Sequence, residues 1–212
     1  MYSFRDLQSK CSKYLSFNDK EIKNLVITML ILTFIIAFDD GRDKFEFASW
    51  FSNFFYIGLV IIISVLIHVL AQRVVALHHG YLPEYKLNWF MLLLGVFFVF
   101  ITVGEFWYFL FPGVFYMSIS EVHRMGYFRY GLSMKQYGLI AVVGNLANIL
   151  LAMVFKLLLI INPGNEFLIF AMNVNIVIAI VNLLPLPPLN GSKLFFGSRL
   201  WYFFLGTVII MV

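Results

Sequence analysis

Charged residues are scarce in this chain of 212 residues, where Lys, Arg, Asp and Glu together make up 12%. A soluble domain carries about 25%. Hydrophobic residues reach 62% and are concentrated in runs, several of which approach the roughly 20 residues needed to span a bilayer. The composition therefore excludes a soluble domain and predicts an all-α, polytopic membrane protein.

Cysteine is also scarce, and Cys11 is the only one in the sequence. This excludes an intrachain disulfide framework and fits a reducing compartment. The polar, charged first 24 residues do not fit a cleavable signal peptide, which needs an apolar region there. The net charge of +4 comes from basic residues spread between apolar runs, and the positive-inside rule explains them better than nucleic-acid binding. We therefore expect no nucleic-acid partner.

The apolar runs divide the chain into two parts. Residues 1–24 are expected to form a cytoplasmic N-terminal tail, and residues 25–212 a single transmembrane domain whose core covers about 54–196. An acidic loop is expected over Asp39–Asn53. About six membrane segments are expected, at Leu25–Phe38, Phe54–Gln72, Trp89–Phe111, Tyr137–Ile161, Phe167–Leu184 and the short run Leu200–Val212.

The run from Trp89 to Phe111 can be one straight span or a hairpin that returns to its side of entry. A single crossing would divide the basic residues evenly between the two sides of the membrane. A hairpin places most of them on the cytoplasmic side, as the orientation rule requires. The charge distribution therefore predicts a re-entrant hairpin, with the N-terminus on the cytoplasmic side of the cell membrane.

Three polar stretches interrupt the core: Leu66–Arg73, Val143–Ala152 and Asn182–Gly191. Their polar and proline residues include His68 and Gln72 in the first, Asn145 and Asn148 in the second, and Asn182, Pro185, Pro187 and Asn190 in the third. An ionisable side chain at membrane depth, here His68, indicates a functional site. His68 and Gln72 are four residues apart and therefore lie on one face of a helix.

Together these stretches resemble the signature segments of the site-2 protease family, intramembrane zinc metalloproteases. That family has an HExxH helix, a G-P-L-x-N-x-x-L-A helix and an N-x-x-P-x-x-P-x-D-G segment. The resemblance runs from about Val60 to Phe196 in the family's order, and the proline-rich segment is its most specific part. The style of the sequence is most similar to archaeal members.

The family's reactive residues are mostly replaced. Only His68 remains of HExxH: Val69 stands where the resemblance implies the catalytic Glu, and Gln72 where it implies the second zinc ligand. Asn190 stands in place of the metal-binding Asp. The resemblance thus implies the protease fold with a degenerate site that has no catalytic residue and no metal ligand set. We expect no cofactor, with zinc only if the site has been remodelled.

The remaining polar residues have two possible uses. His68, Gln72 and Asn190 are expected to hydrogen-bond one another as neutral groups. Asn145 and Asn148 share one helix face, and interhelical hydrogen bonds are favoured there over contacts with a partner. As candidate binding residues we name Asn145, Asn148, Asn182, Pro185 and Pro187.

Two other features compete for a catalytic role. The adjacent His78 and His79 would point about 100° apart on a helix, and His79 would lie about 16 Å along the axis from His68. We therefore interpret both as interfacial residues. Glu105 is an alternative base, although a satisfied carboxylate near the interface is the favoured interpretation.

The sequence supports three hypotheses about function. The favoured one is a catalytically inactive protein that binds or scaffolds transmembrane partners, either a client helix or a membrane-protein complex, within the lipid bilayer. The alternatives are a zinc-dependent intramembrane protease with a remodelled site, and a structural subunit of a larger membrane complex.

Overall fold

The computed structural model describes residues 4–39, 46–105, 107–108, 114–118, 134–187 and 189–211. Within them lie eight helices and two strands. In chain order these are α1 (Phe4–Tyr14), α2 (Asp19–Ala37), α3 (Phe47–His78), β1 (Leu82–Lys86), α4 (Trp89–Ile101), β2 (Val114–Ser118), α5 (Met134–Ile161), α6 (Glu166–Leu183), α7 (Asn190–Gly197) and α8 (Arg199–Met211).

Three of the described helices, α3, α5 and α6, are long and apolar enough to cross a membrane. At about 1.5 Å per residue, even the shortest, with 18 residues, extends about 27 Å, close to the thickness of the hydrocarbon layer. The chain is therefore a helical membrane protein, as predicted. The helices α4 and α8 are apolar but shorter, so the six predicted segments stay a prediction.

The helix α3 is longer than the sequence analysis predicts. It begins at Phe47, so residues 47–53 are helical and do not belong to a loop, which corrects the predicted acidic loop Asp39–Asn53. The indole of Trp50 donates a hydrogen bond of 2.6 Å to the carbonyl of Ala37, at the end of α2. This contact holds the first turns of α3 against α2. Residues 40–45 of the predicted loop lie outside the described residues.

A two-stranded antiparallel sheet, which the sequence did not predict, follows α3. β1 pairs with β2 from Leu82 opposite Ser118 to Lys86 opposite Val114. The other side of β1 is covered by α2, because Glu21 accepts a hydrogen bond from the Tyr85 amide at 2.9 Å and Asn24 donates one to the Tyr85 carbonyl at 3.3 Å. The segment between β1 and β2, which contains α4, therefore begins and ends at the sheet.

The helices α5 and α6 form an antiparallel hairpin, and α7 packs against both. Asn165 begins α6 by accepting a hydrogen bond from the Leu168 amide, and α6 ends before Pro185, where a helical hydrogen bond is no longer possible. A Cβ atom at Gly191 would collide with the carbonyls of Leu183 and Leu184. Glycine at this position therefore lets α7 begin directly against the end of α6.

Candidate functional site

The helix α3 presents His68 and Gln72 to the interior, on the face that packs against α5. Both side chains are buried, with 4% and 2% of their surface exposed. Their four-residue spacing places them one above the other on the helix. The predicted pairing of these two side chains on one face is confirmed.

Gly144 is the point where α5 meets this pair. A Cβ atom at Gly144 would lie 2.5 Å from Nε2 of Gln72 and 2.7 Å from Nε2 of His68. The ends of both side chains therefore converge on the glycine, and real Cβ atoms do not make contacts this close. α5 can approach the pair only because residue 144 has no side chain.

Asn190 reaches the same place from α7. It is the first residue of that helix and is buried. Its Nδ2 atom lies 3.3 Å from Nε2 of His68, a distance at the long end for a hydrogen bond in which the amide donates to the ring. Of the hydrogen bonds predicted among His68, Gln72 and Asn190, this one is confirmed. The Nε2 atom of Gln72 and the Nδ1 atom of His68 have no hydrogen-bond partner among the described residues.

Asn145 and Asn148 on α5 are fully buried. The Asn148 side chain and the Gly144 backbone lie beside the His68 ring on α3, which is the kind of interhelical polar contact that the sequence predicts for Asn148. The amide of Asn145 has no hydrogen-bond partner in the described part of the chain, so the interhelical bond predicted for this residue is not found there.

Asn182 and the prolines lie at the C-terminal end of α6. Asn182 is buried and donates a hydrogen bond of 3.0 Å to the carbonyl of Ile178 in its own helix. Pro185 and Pro187 are exposed, and Pro188 lies outside the described residues. The segment thus combines a buried amide at the helix end with exposed, non-helical backbone.

The other candidates for catalysis are not brought to this site. Glu105 is exposed in the turn after α4. His78 and His79 lie at the end of α3, where the His79 ring donates a 2.8 Å hydrogen bond to the Val75 carbonyl. Both histidines therefore lie at a helix end, and the interfacial role inferred from the sequence stays a prediction.

A buried ion pair next to the site was not foreseen from the sequence. Arg73, which follows Gln72, lies 2.9 Å from a Glu21 carboxylate oxygen, and both residues are at least 96% buried. The guanidinium also donates hydrogen bonds to the carbonyls of Tyr14 and Ser16, at 3.2 Å and 2.8 Å. Arg73 thereby fastens the C-terminal end of α1 and the start of α2 to α3. The available signals were the charge of Arg73 at the end of an apolar run and the Asn18-x-x-Glu21 helix start.

Lys193 is the cation nearest to Asn190 in sequence on α7. Its ammonium lies 5.8 Å from the centre of the Tyr137 ring, and burial lowers the pKa of Lys193 to about 8. Lys193 of α7 therefore packs against α5 through this cation–ring contact.

Comparison with known proteins identifies a relative over most of the chain. The sequence is 31% identical over 182 residues to a protein of Methanocaldococcus jannaschii named "putative zinc metalloprotease", and the alignment covers 84% of this chain and 84% of the relative. The chain belongs to the same family as this archaeal protein. No family model matches the chain, and no solved structure matches it significantly.

The cluster of His68, Gln72 and Asn190 does not fit a catalytic zinc centre. Such a centre needs three side-chain ligands, usually imidazoles and a carboxylate or thiolate, together with a water molecule. The described residues contain no group of three His, Cys, Asp or Glu that could hold a metal, and the amides of Gln72 and Asn190 are neutral. Val69, next to His68, is apolar and 1% exposed, so it cannot accept a proton from water. The site therefore supplies one imidazole and two amides.

Proposed function

We propose that this chain is a non-hydrolysing member of the site-2 protease family, which binds or scaffolds transmembrane partners. The observation that carries the proposal is the contact of His68 with Asn190 and the convergence of His68 and Gln72 on Gly144. These positions match the family's ligand positions, but their side chains are neutral. Hydrolysis through a metal would need three side chains that hold the ion and a base beside the bound water.

The remaining features favour binding over chemistry. Leu186, between Pro185 and Pro187, is 51% exposed on non-helical backbone. Such backbone at the membrane is tolerated where it packs against protein or lines a cavity. A partner helix seated beside this segment would supply that packing.

The proposal includes a topology of about six membrane segments with a cytoplasmic N-terminus in the cell membrane. The basic residues support this orientation. The re-entrant hairpin is supported by the pairing of β1 with β2, because the segment between these strands must return to its starting point. The apolar, exposed faces of α3 and α5 would then contact the lipid bilayer.

A second candidate is a zinc-dependent intramembrane protease with a remodelled site, and the name of the archaeal relative favours it. This function would require a base and ligands from outside the cluster of His68, Gln72 and Asn190. Glu105, the carboxylate within the predicted hairpin, is the base that the sequence analysis names for this function, and it is exposed in a turn.

Photo-cross-linking distinguishes the two candidates. A photoreactive residue is introduced at Leu186, or as a control at Leu157, which is similarly exposed on α5 but near the other end of the helix hairpin. Tagged single-span membrane proteins are coexpressed with each variant. The proposal predicts cross-links to intact clients at Leu186 and few at Leu157. Client cleavage that His68→Ala abolishes would establish the second candidate, and equal cross-linking at both positions would contradict a specific binding site.

A further inference from the structure

One amide of α6 faces outward near the middle of the helix. Asn173 is the eighth of the 18 residues of α6 and is exposed. The other two, Asn175 and Asn182, are buried and donate hydrogen bonds to carbonyls of their own helix. Because α6 is long enough to span a bilayer, Asn173 lies about midway across it, where no water is present to hydrogen-bond an amide. A polar side chain on the outer face at this depth indicates a neighbouring helix that supplies the hydrogen bond.

Asn173 belongs to a face of α6 that is exposed along most of the helix. Rotation by about 100° per residue places four exposed residues within an arc of about 60°, and these are Glu166, Ile169, Asn173 and Ile180. The face is apolar apart from the amide in its middle and the carboxylate at its start. A second transmembrane helix can therefore lie along α6 over most of its length.

The start of α6 indicates which charge should flank such a helix. Glu166 lines a cavity of about 440 Å³, to which Asp39 contributes a second carboxylate. The rings of Tyr56 and Trp107 also line this cavity, and none of its described lining residues is basic. Tyr56 precedes His68 by 12 residues on α3, about 18 Å along the axis, so the cavity is separate from the His68 site. Carboxylates and aromatic rings together attract an ammonium or guanidinium group.

We infer that the exposed face of α6 binds a partner transmembrane helix with a hydrogen-bonding residue at mid-depth and a lysine or arginine at its end beside Glu166. This partner class rests on the proposed function, whose topology places Glu166 outside the cell. Basic residues are less frequent on that side of membrane proteins, so the carboxylates would select among single-span partners. A second copy of this chain is disfavoured, because a two-fold axis along the membrane normal would bring two Glu166 carboxylates to the same depth.

Photo-cross-linking of the purified full chain in nanodiscs tests the inference. A photoreactive residue is introduced at Ile169, or as a control at Leu158 on α5, which is equally exposed at 39% and lies at about the same depth of the helix hairpin. The probe is a synthetic apolar helix with one central asparagine and two lysines at one end. We expect saturable cross-linking at Ile169 and little at Leu158. Equal cross-linking at both positions would overturn the inference, as would cross-linking of the chain to a second copy of itself at Ile169.

Substitution of Asn173 isolates the hydrogen bond. Asn173→Leu should weaken binding of the probe about three- to tenfold, the range expected for a hydrogen bond between membrane helices. It should not weaken binding of a probe with a central leucine, and Asn173→Gln, which keeps the amide, should retain most of the affinity. A folded Asn173→Leu variant that binds the asparagine probe as tightly as the native chain would overturn the inference.

Substitution of Glu166 isolates the charge. Glu166→Gln should weaken binding of the lysine probe about two- to fivefold, with no effect on a probe whose lysines are replaced by glutamines. Glu46→Gln is the matched control, because Glu46 precedes α3 at the same end of the bundle but does not line the cavity. Equal effects of the two substitutions would contradict the inference. Failure of these tests leaves the proposed function standing if specific cross-linking at Leu186 persists.

Discussion

The amide of Asn190 lies 3.3 Å from Nε2 of His68, although the two residues are 122 positions apart in the sequence. The contact ties the start of α7 to the middle of α3, while α7 otherwise packs mainly against α5, α6 and α8. A neutral hydrogen bond thus joins the two residues that, under the proposed function, stand at metal-ligand positions of the family. The account of the site depends on this contact.

A double-mutant cycle measures the His68–Asn190 hydrogen bond. We expect His68→Ala and Asn190→Ala to be coupled by about 0.6–1.7 kcal/mol, as for other polar pairs inside membrane proteins. Reversible unfolding of the two single variants and the double variant in mixed micelles gives this coupling in the absence of added metal. Additive effects of the two substitutions would show that the contact contributes no stability.

Substitution of Gly144 tests the close approach of α5 to the site. In Gly144→Ala the new methyl group would lie 2.5 Å from Gln72 and 2.7 Å from His68, so the helices must separate or the side chains must move. We expect a loss of about 1–3 kcal/mol, as for other overpacked interiors, measured by unfolding. The matched control is Gly206→Ala, where the nearest atom to the new Cβ is 3.8 Å away. Equal effects at the two glycines would contradict the packing described.

The buried amide of Asn145 is expected to destabilise the chain. A buried polar group without a partner costs about 1–3 kcal/mol, and both polar atoms of Asn145 lack one among the described residues. Asn145→Leu, which replaces the amide with an apolar group of similar shape, should therefore raise the free energy of unfolding. In the comparison variant Asn175→Leu the gain should be smaller, because the Asn175 amide already donates a hydrogen bond of 2.8 Å to Ala171. Destabilisation by Asn145→Leu would show that the amide has a bonding partner.

Removing only Arg73 from its ion pair with Glu21 should lower the free energy of unfolding far more than removing both charges. Arg73→Met leaves a buried carboxylate, and we expect a loss of about 3–5 kcal/mol. Arg73→Met combined with Glu21→Leu should lose less, because no charge stays unpaired. Unfolding of both variants under identical conditions checks this order. A double variant less stable than Arg73→Met would contradict it.

The sequence predicts the long elements well because they follow from continuous apolar runs. It places α5 and α6 within a few residues of their observed ends, and the family pattern indicates that His68 and Asn190 meet. Contacts between distant, short segments leave no such local signal. β1 contains Pro83 and pairs with a strand that begins 28 residues after β1 ends, and no periodicity reveals it.

The orientation of side chains within the packed site also cannot be predicted from the sequence. Asn145 and Asn148 share one helix face, yet only Asn148 lies beside the His68 ring on α3, and the Asn145 amide has no hydrogen-bond partner among the described residues. Likewise, the charges of Glu21 and Arg73 are visible in the sequence, but their pairing depends on how α2 lies against α3. These features follow from tertiary packing, which overrides local preference.

The central claim is that the site of His68, Gln72 and Asn190 binds no zinc, and the zinc content per chain tests it most directly. The native protein is purified in detergent, treated mildly with a chelator to remove loosely held metal, and measured by elemental analysis beside the His68→Ala variant. The account predicts less than about a tenth of an equivalent of zinc in both proteins, because one imidazole and two neutral amides form no zinc centre. About one equivalent in the native chain, lost in His68→Ala, would contradict it.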